Sequence, residues 1–100
     1  MNSIALNALE EARKIIILGL KEYRVKVLLF GSRATGQASR TSDIDVAVYP
    51  EEPLSPGVLS TIRQELDESK IPYFVDLVDM SQLGPAWLEN IQRDGVQWTD

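Results

Sequence analysis

The stretch that decides the fold is Leu28-Leu29-Phe30-Gly31-Ser32-Arg33-Ala34-Thr35-Gly36, followed by Ser42-Asp43-Ile44-Asp45-Val46-Ala47-Val48. One apolar run stops at Gly-Ser, and a second opens on two aspartates one residue apart. Successive side chains of a strand point to opposite faces, so Asp43 and Asp45 share a face while Ile44 and Val46 take the other. Two carboxylates fixed on one face repel each other in water. The pattern makes chemical sense around a divalent cation, and Mg²⁺, a hard ion held by oxygen at about 2.0–2.1 Å, suits these donors.

Working outward, Val25 to Phe30 reads as a first strand, and its near-continuous apolar character implies burial on both faces and a central place. Arg33 to Gln37 reads as a short helix or turn, and Ala38 to Ser42 as a polar connection. The second strand runs from Asp43 through Tyr49 and is closed by Pro50. Upstream, Ile4, Ala8, Ala12, Ile15, Ile16 and Leu20 recur at helical spacing, which predicts a helix capped by Asn2 or Ser3 and reaching about Tyr23. Downstream, Ser55-Pro56 is a helix start, with Leu59, Ile62 and Leu66 as the buried stripe. That helix should stop near Ser69, because Pro72 disfavours helical geometry at Ile71. Tyr73 to Val78 reads as a third strand with Asp76 in its middle. A last helix opens at Gly84-Pro85, sets Leu83, Trp87 and Ile91 on one side and ends at Gly95. Val96-Gln97-Trp98 then offers a short edge strand, and the two tryptophans read as core or interface residues. Strands separated by helices predict an α/β (α+β) fold, a small mixed β-sheet flanked by helices.

One hundred residues predict one domain covering 1–100. With no cysteine and no histidine, disulfides, zinc-thiolate sites and histidine catalysis are excluded, leaving carboxylates, hydroxyls, Lys/Arg and bound ions to carry any chemistry. The net charge of −5 argues against direct, non-specific binding of nucleic acid. It also means that a polyanionic substrate needs metal ions to neutralise the local field. No apolar run approaches the roughly 18–20 residues of a membrane helix. Met1 to Ala5 lacks the charged start and apolar centre of a secretory signal. The expectation is a cytoplasmic protein with no membrane partner.

Asp76 lies in an apolar strand, where a charge is costly to bury without a partner. If its strand pairs beside the second, Asp43, Asp45 and Asp76 converge and can bind one or two Mg²⁺ ions. Two such ions about 3.5–4 Å apart clamp the attacking and leaving oxygens of a phosphoryl-type displacement. Asp79 is the alternative third carboxylate, of opposite strand parity. Gly31 leaves room for a phosphate near the backbone, and Ser32 offers a hydroxyl and an N–H there or serves as a helix cap. Arg33 and Arg40 are nearby cations.

The string Gly31-Ser32, a polar insert, then Ser42-Asp43-Ile44-Asp45 resembles the signature of the DNA polymerase β-like nucleotidyltransferase superfamily. With Arg33-Ala34-Thr35-Gly36 included, and at this length, the chain most resembles the minimal nucleotidyltransferases (MNT, MntA-like) over nearly its whole span. The resemblance implies a polymerase β palm-like fold. It implies that Asp43 and Asp45 bind the metals, that Asp76 shares one and helps activate the acceptor hydroxyl, and that Ser32 holds the triphosphate tail. Gly31, Arg33 and Ser42 complete the implied nucleotide-binding set. The implied reaction transfers a nucleoside monophosphate, AMP from ATP, with loss of pyrophosphate. Many members of the family are antitoxins of a helical HEPN ribonuclease toxin, and some silence it by adding AMP to a tyrosine. The implied partners are therefore a nucleoside triphosphate and a HEPN-family toxin, within a homodimer or hetero-oligomer. This chain, without histidine, is not the HEPN half. The competing expectations are an inactive antitoxin that works by binding alone, and transfer to a small molecule such as an aminoglycoside.

Overall fold

The structure, a computed structural model, describes residues 3–38, 42–81 and 85–99, the side chains of residues 3, 5, 85, 87 and 88 excepted. The expected cap at Asn2 or Ser3, the Arg40 cation, the helix start at Leu83 and Gly84, and the packing of Trp87 fall outside the described residues. In chain order the elements are α1 (Ser3–Gly19), β1 (Val25–Phe30), α2 (Ser32–Thr35), β2 (Ile44–Pro50), α3 (Val58–Glu68), β3 (Val75–Asp79), α4 (Pro85–Asp94) and β4 (Val96–Gln97). Among the described residues the strands form one sheet in the order β3-β2-β1-β4. β1 runs antiparallel to both β2 and β4. β2 and β3, joined through α3, run parallel, so the sheet is mixed as expected.

Both faces of the sheet are covered, which is why the interior strands β1 and β2 read as apolar on both sides. α1 turns Ala8, Ala12 and Ile16, spaced at about one turn each, onto one face, and Leu20 follows just past its end. There they meet Val27, Leu29, Val46 and Val48 of the sheet and Ile62 and Leu66 of α3. On the other face Ile91 of α4 joins Leu28, Ala47 and Met80. Trp98 is buried in the larger cluster, and its N–H donates to the Val27 carbonyl at 2.8 Å.

Three of the boundaries that differ from expectation do so for a tertiary reason. α1 stops at Gly19 rather than Tyr23. A Cβ at Gly19 would fall 2.6 Å from Ile62 Cγ1, so this glycine lets α3 pack close, and the chain then turns. α3 starts at Val58 rather than Ser55. The Ser55 hydroxyl accepts a bond from the Tyr23 hydroxyl at 3.0 Å, and Gly57, at φ 86°, turns the chain into the helix instead. β3 begins at Val75 and runs to Asp79 because its pairing with Ile44 to Val48 fixes its limits. No described helix is long and apolar enough to cross a membrane.

Candidate functional site

Antiparallel pairing sets the C-terminal end of β1 against the N-terminal end of β2, and parallel pairing brings the N-terminal end of β3 alongside. Phe30 lies opposite Asp45, and Asp45 lies opposite Asp76. Directly paired residues share a face, so the carboxylates of Asp45 and Asp76 stand side by side at one end of the sheet. Asp43 lies just before β2, which starts at Ile44 rather than at Asp43 as expected, and its charge acts on Asp45. Asp43 and Asp76 are exposed, and Asp45 is half-buried. Burial first, then the charges of Asp76 and Asp43, push the Asp45 carboxyl above its usual range. Asp79 does not join them. It pairs with Val48 further along, has the opposite parity, and accepts a bond from the Ser81 N–H at 2.9 Å.

Gly31 has two structural reasons to be glycine. Its backbone, φ 75° and ψ −157°, lies in a region that L side chains avoid. A Cβ there would also stand 2.5 Å from Asp45 Oδ2. The turn therefore seats the Asp45 carboxylate against bare backbone. Ser32 opens α2 half-buried, and its hydroxyl has no partner among the described residues. Gly36, at φ 79°, ends that short helix.

Arg33 is committed within the fold. Its Nη2 donates to the Ser42 carbonyl at 2.8 Å, and its guanidinium lies 4.3 Å from the centroid of the Tyr73 ring. Its Nε is buried without a partner among the described residues. One side chain thus ties α2 to the segments leading into β2 and β3, the strands that carry the aspartates. Tyr73 was not among the site residues expected from sequence; its signal was its place two residues before β3, facing opposite to Asp76.

The donor set, carboxylates only, fits Mg²⁺ in kind, and the charges of Asp76 and Asp43, which after burial raise the Asp45 pKa, are a repulsion that a divalent cation relieves. Among the described residues no three carboxylates close into a ready-made cage. Mg²⁺ does not require one, since it keeps several waters and takes one or two carboxylates plus phosphate oxygens. A cavity of about 350 Å³ adjoins Gly31 and Ser32. A larger one, about 600 Å³, lies away from the carboxylates between α1 and the end of α3.

The polymerase β nucleotidyltransferase family matches residues 13–98, a span holding the Gly-Ser turn and the three aspartates. The chain belongs to this family. A curated member of the nucleotidyltransferases, the probable protein adenylyltransferase MntA of Haemophilus influenzae, is 36% identical over 67 residues, 67% of this chain and 59% of the relative. The chain thus spans less than two thirds of that relative's length. A crystal structure of a toxin–antitoxin with AMP-PNP superposes at a TM-score of 0.65 and 28% identity, over 87% of this chain and 72% of that one. A tri-AMPylated Shewanella oneidensis HEPN toxin in complex with MNT antitoxin shares the fold, with a TM-score of 0.57 and 22% identity over 90% and 71% of the two chains. In this nucleotidyltransferase fold one end of the sheet brings Asp45 and Asp76 together beside the Gly31-Ser32 turn.

Proposed function

We propose that this chain is a Mg²⁺-dependent nucleotidyltransferase that moves AMP from ATP onto a tyrosine hydroxyl of a HEPN-family toxin and so acts as that toxin's antitoxin. The observation that carries the reading is the register of Asp45 beside Asp76, with Gly31 seated on the Asp45 carboxylate. The donor is supported by the similar toxin–antitoxin structure with AMP-PNP, and the acceptor class by the similar complex with a tri-AMPylated HEPN toxin.

Asp43 and Asp45 would hold the metal from one strand, and Asp76 would share it from the next. Bound Mg²⁺, as one ion or two, would supply Lewis-acid stabilisation of charge on the transferring phosphate. The Ser32 hydroxyl and N–H, with the Gly31 backbone, hold the triphosphate, and Arg33 and Ser42 keep that end in place. The acceptor oxygen forms a bond to the α-phosphorus, and Asp76 takes the hydroxyl proton. The bond from the α-phosphorus to the bridging oxygen breaks, and pyrophosphate leaves with the electron pair.

The test is labelled ATP with Mg²⁺ and the cognate toxin. Asp45→Asn lowers labelling by about 10²-fold or more while circular dichroism is unchanged. Parental labelling by that variant overturns the mechanism. If the variant instead loses labelling yet neutralises the toxin as well as the parent, occupancy of the toxin surface is the means of inhibition.

A further inference from the structure

We infer that the groove between the start of α1 and the end of α3 docks the acceptor protein. It takes the apolar face of an amphipathic helix whose Lys or Arg residues meet Glu11 and Glu68. The inference rests on the nucleotidyl-transfer reading and adds the surface, apart from the reacting groups, by which the acceptor is held.

The groove encloses about 600 Å³. Ile4, Asn7, Ala8 and Glu11 line one wall, spaced as a single stripe of α1. The end of α3 and the turn after it, from Glu68 to Pro72, line the other. Ile4 is 61% exposed, whereas Ala8, one turn on, is buried. An open isoleucine beside a small side chain leaves apolar surface in a concave wall, the kind that a partner covers.

The charges point to the occupant. Glu11, Glu68 and Lys70 line the groove, an excess of one carboxylate. The ion pairs among the described residues, Arg13 with Glu10 and Arg93 with Asp94, leave Glu11 and Glu68 without a cation. Glu68 accepts only from the Gln64 amide, at 3.0 Å. Apolar anchors flanked by basic residues complement this wall. Such anchors on a helix suit a groove between helices. Main-chain pairing at the nearby edge strand β3 is obstructed, since its Leu77 carbonyl already accepts from Arg63 Nη2 at 2.8 Å.

Position ties the groove to the carboxylates. Pro72, on its wall, is four residues before Asp76, at most about 14 Å of chain. Between them Phe74 is 59% exposed, and its carbonyl accepts from the Ile44 N–H at 2.9 Å, which fixes its backbone beside the start of β2. A protein seated in the groove thus comes to Asp76 past Phe74, from the β3 edge of the sheet. The Gly31-Ser32 turn follows β1, on the other side of β2. Acceptor and triphosphate then approach from opposite sides, as an in-line displacement requires.

Two measurements on the full chain and its cognate toxin test this. In calorimetric titrations without nucleotide, Ile4→Glu and Glu68→Lys each weaken toxin binding at least tenfold, with circular dichroism unchanged. In the transfer assay the same variants raise KM for the toxin about tenfold and leave KM for ATP within about twofold. Parental binding by both variants overturns the inference, even if transfer proceeds. Tighter binding by Glu68→Lys overturns it as well, because the facing residues are then acidic. So does a self-associating parent that Ile4→Glu turns into a monomer, since a second copy then fills the groove. Binding needs no turnover, so a chain that binds through the groove but labels nothing keeps the docking surface while the transfer reading falls.

Discussion

The Asp45 carboxylate stands half-buried between Asp76 on the neighbouring strand and Asp43 upstream, and it is held above the ordinary carboxylate pKa of 3.8. The folded state therefore binds this proton more readily than the unfolded chain does. Between 3.8 and the raised folded value, stability falls as pH rises, and above the folded value the full penalty is present. The carboxylate that the proposed reaction needs is thus a cost to the metal-free fold. Asp45→Asn should stabilise the chain in EDTA at pH 7 by up to about 1 kcal/mol, a small figure because the group is largely solvated and screened. The gain should vanish near pH 3, where the parental carboxyl is protonated in both states. Urea unfolding of the two proteins at both pH values is the check. A variant less stable than the parent at pH 7 would show that Asp45 earns its place by packing rather than by function.

At the scale of elements, the site depends on how firmly α2 and the starts of β2 and β3 are held together. The Arg33 guanidinium bonds to the Ser42 carbonyl and lies over Tyr73, so a single residue spans all three. If it acts as a brace, Arg33→Ala and Tyr73→Leu should each lower kcat about tenfold with KM for ATP nearly unchanged. The double variant should be no worse than the poorer single one, because both changes remove one contact. Arg33→Lys should not rescue activity, since an ammonium lacks the planar fork that both stacks and donates. Additive losses, or a rise in KM alone, would assign Arg33 to phosphate instead. This brace was not legible in the sequence, because stacking between residues 33 and 73 exists only once β3 lies beside β2. What was legible follows local rules. β1 is bounded as read, from Val25 to Phe30, since an interior strand is an apolar run ended by glycine. The expected shared face of Asp43 and Asp45 rested on strand alternation, but β2 begins only at Ile44. Asp45 opposite Asp76 needed a parallel register set across α3, which no local pattern encodes. The start of α3 was misplaced because Ser55 bonds to Tyr23 instead of capping.

For the whole molecule, the two faces of the sheet are unequally supported. One is closed by α1 and α3 around Ala12, Ile16, Leu20 and Ile62. The other rests on Leu28, Ala47, Met80 and Ile91, with α4 as its cover. The buried hydroxyl of Tyr49, packed at this second face, has no partner among the described residues, a state that costs about 1–3 kcal/mol. Its burial also pushes its pKa up. A thin apolar contact and an unpaired hydroxyl make α4 the unit that opens at the lowest free energy, while β1 and β2 open only when the whole chain unfolds. Native-state hydrogen exchange should show α4 amides exchanging earlier than those of β1 and β2. Ile91→Ala, at a cost of about 2–4 kcal/mol, should speed α4 exchange at least tenfold and leave the sheet amides less affected. Ile16→Ala should instead accelerate every protected amide together, because it weakens the face on which the entire fold depends. Uniform exchange through α4 and the sheet, in both the parent and the Ile91→Ala protein, would mean that the two faces unfold as one unit.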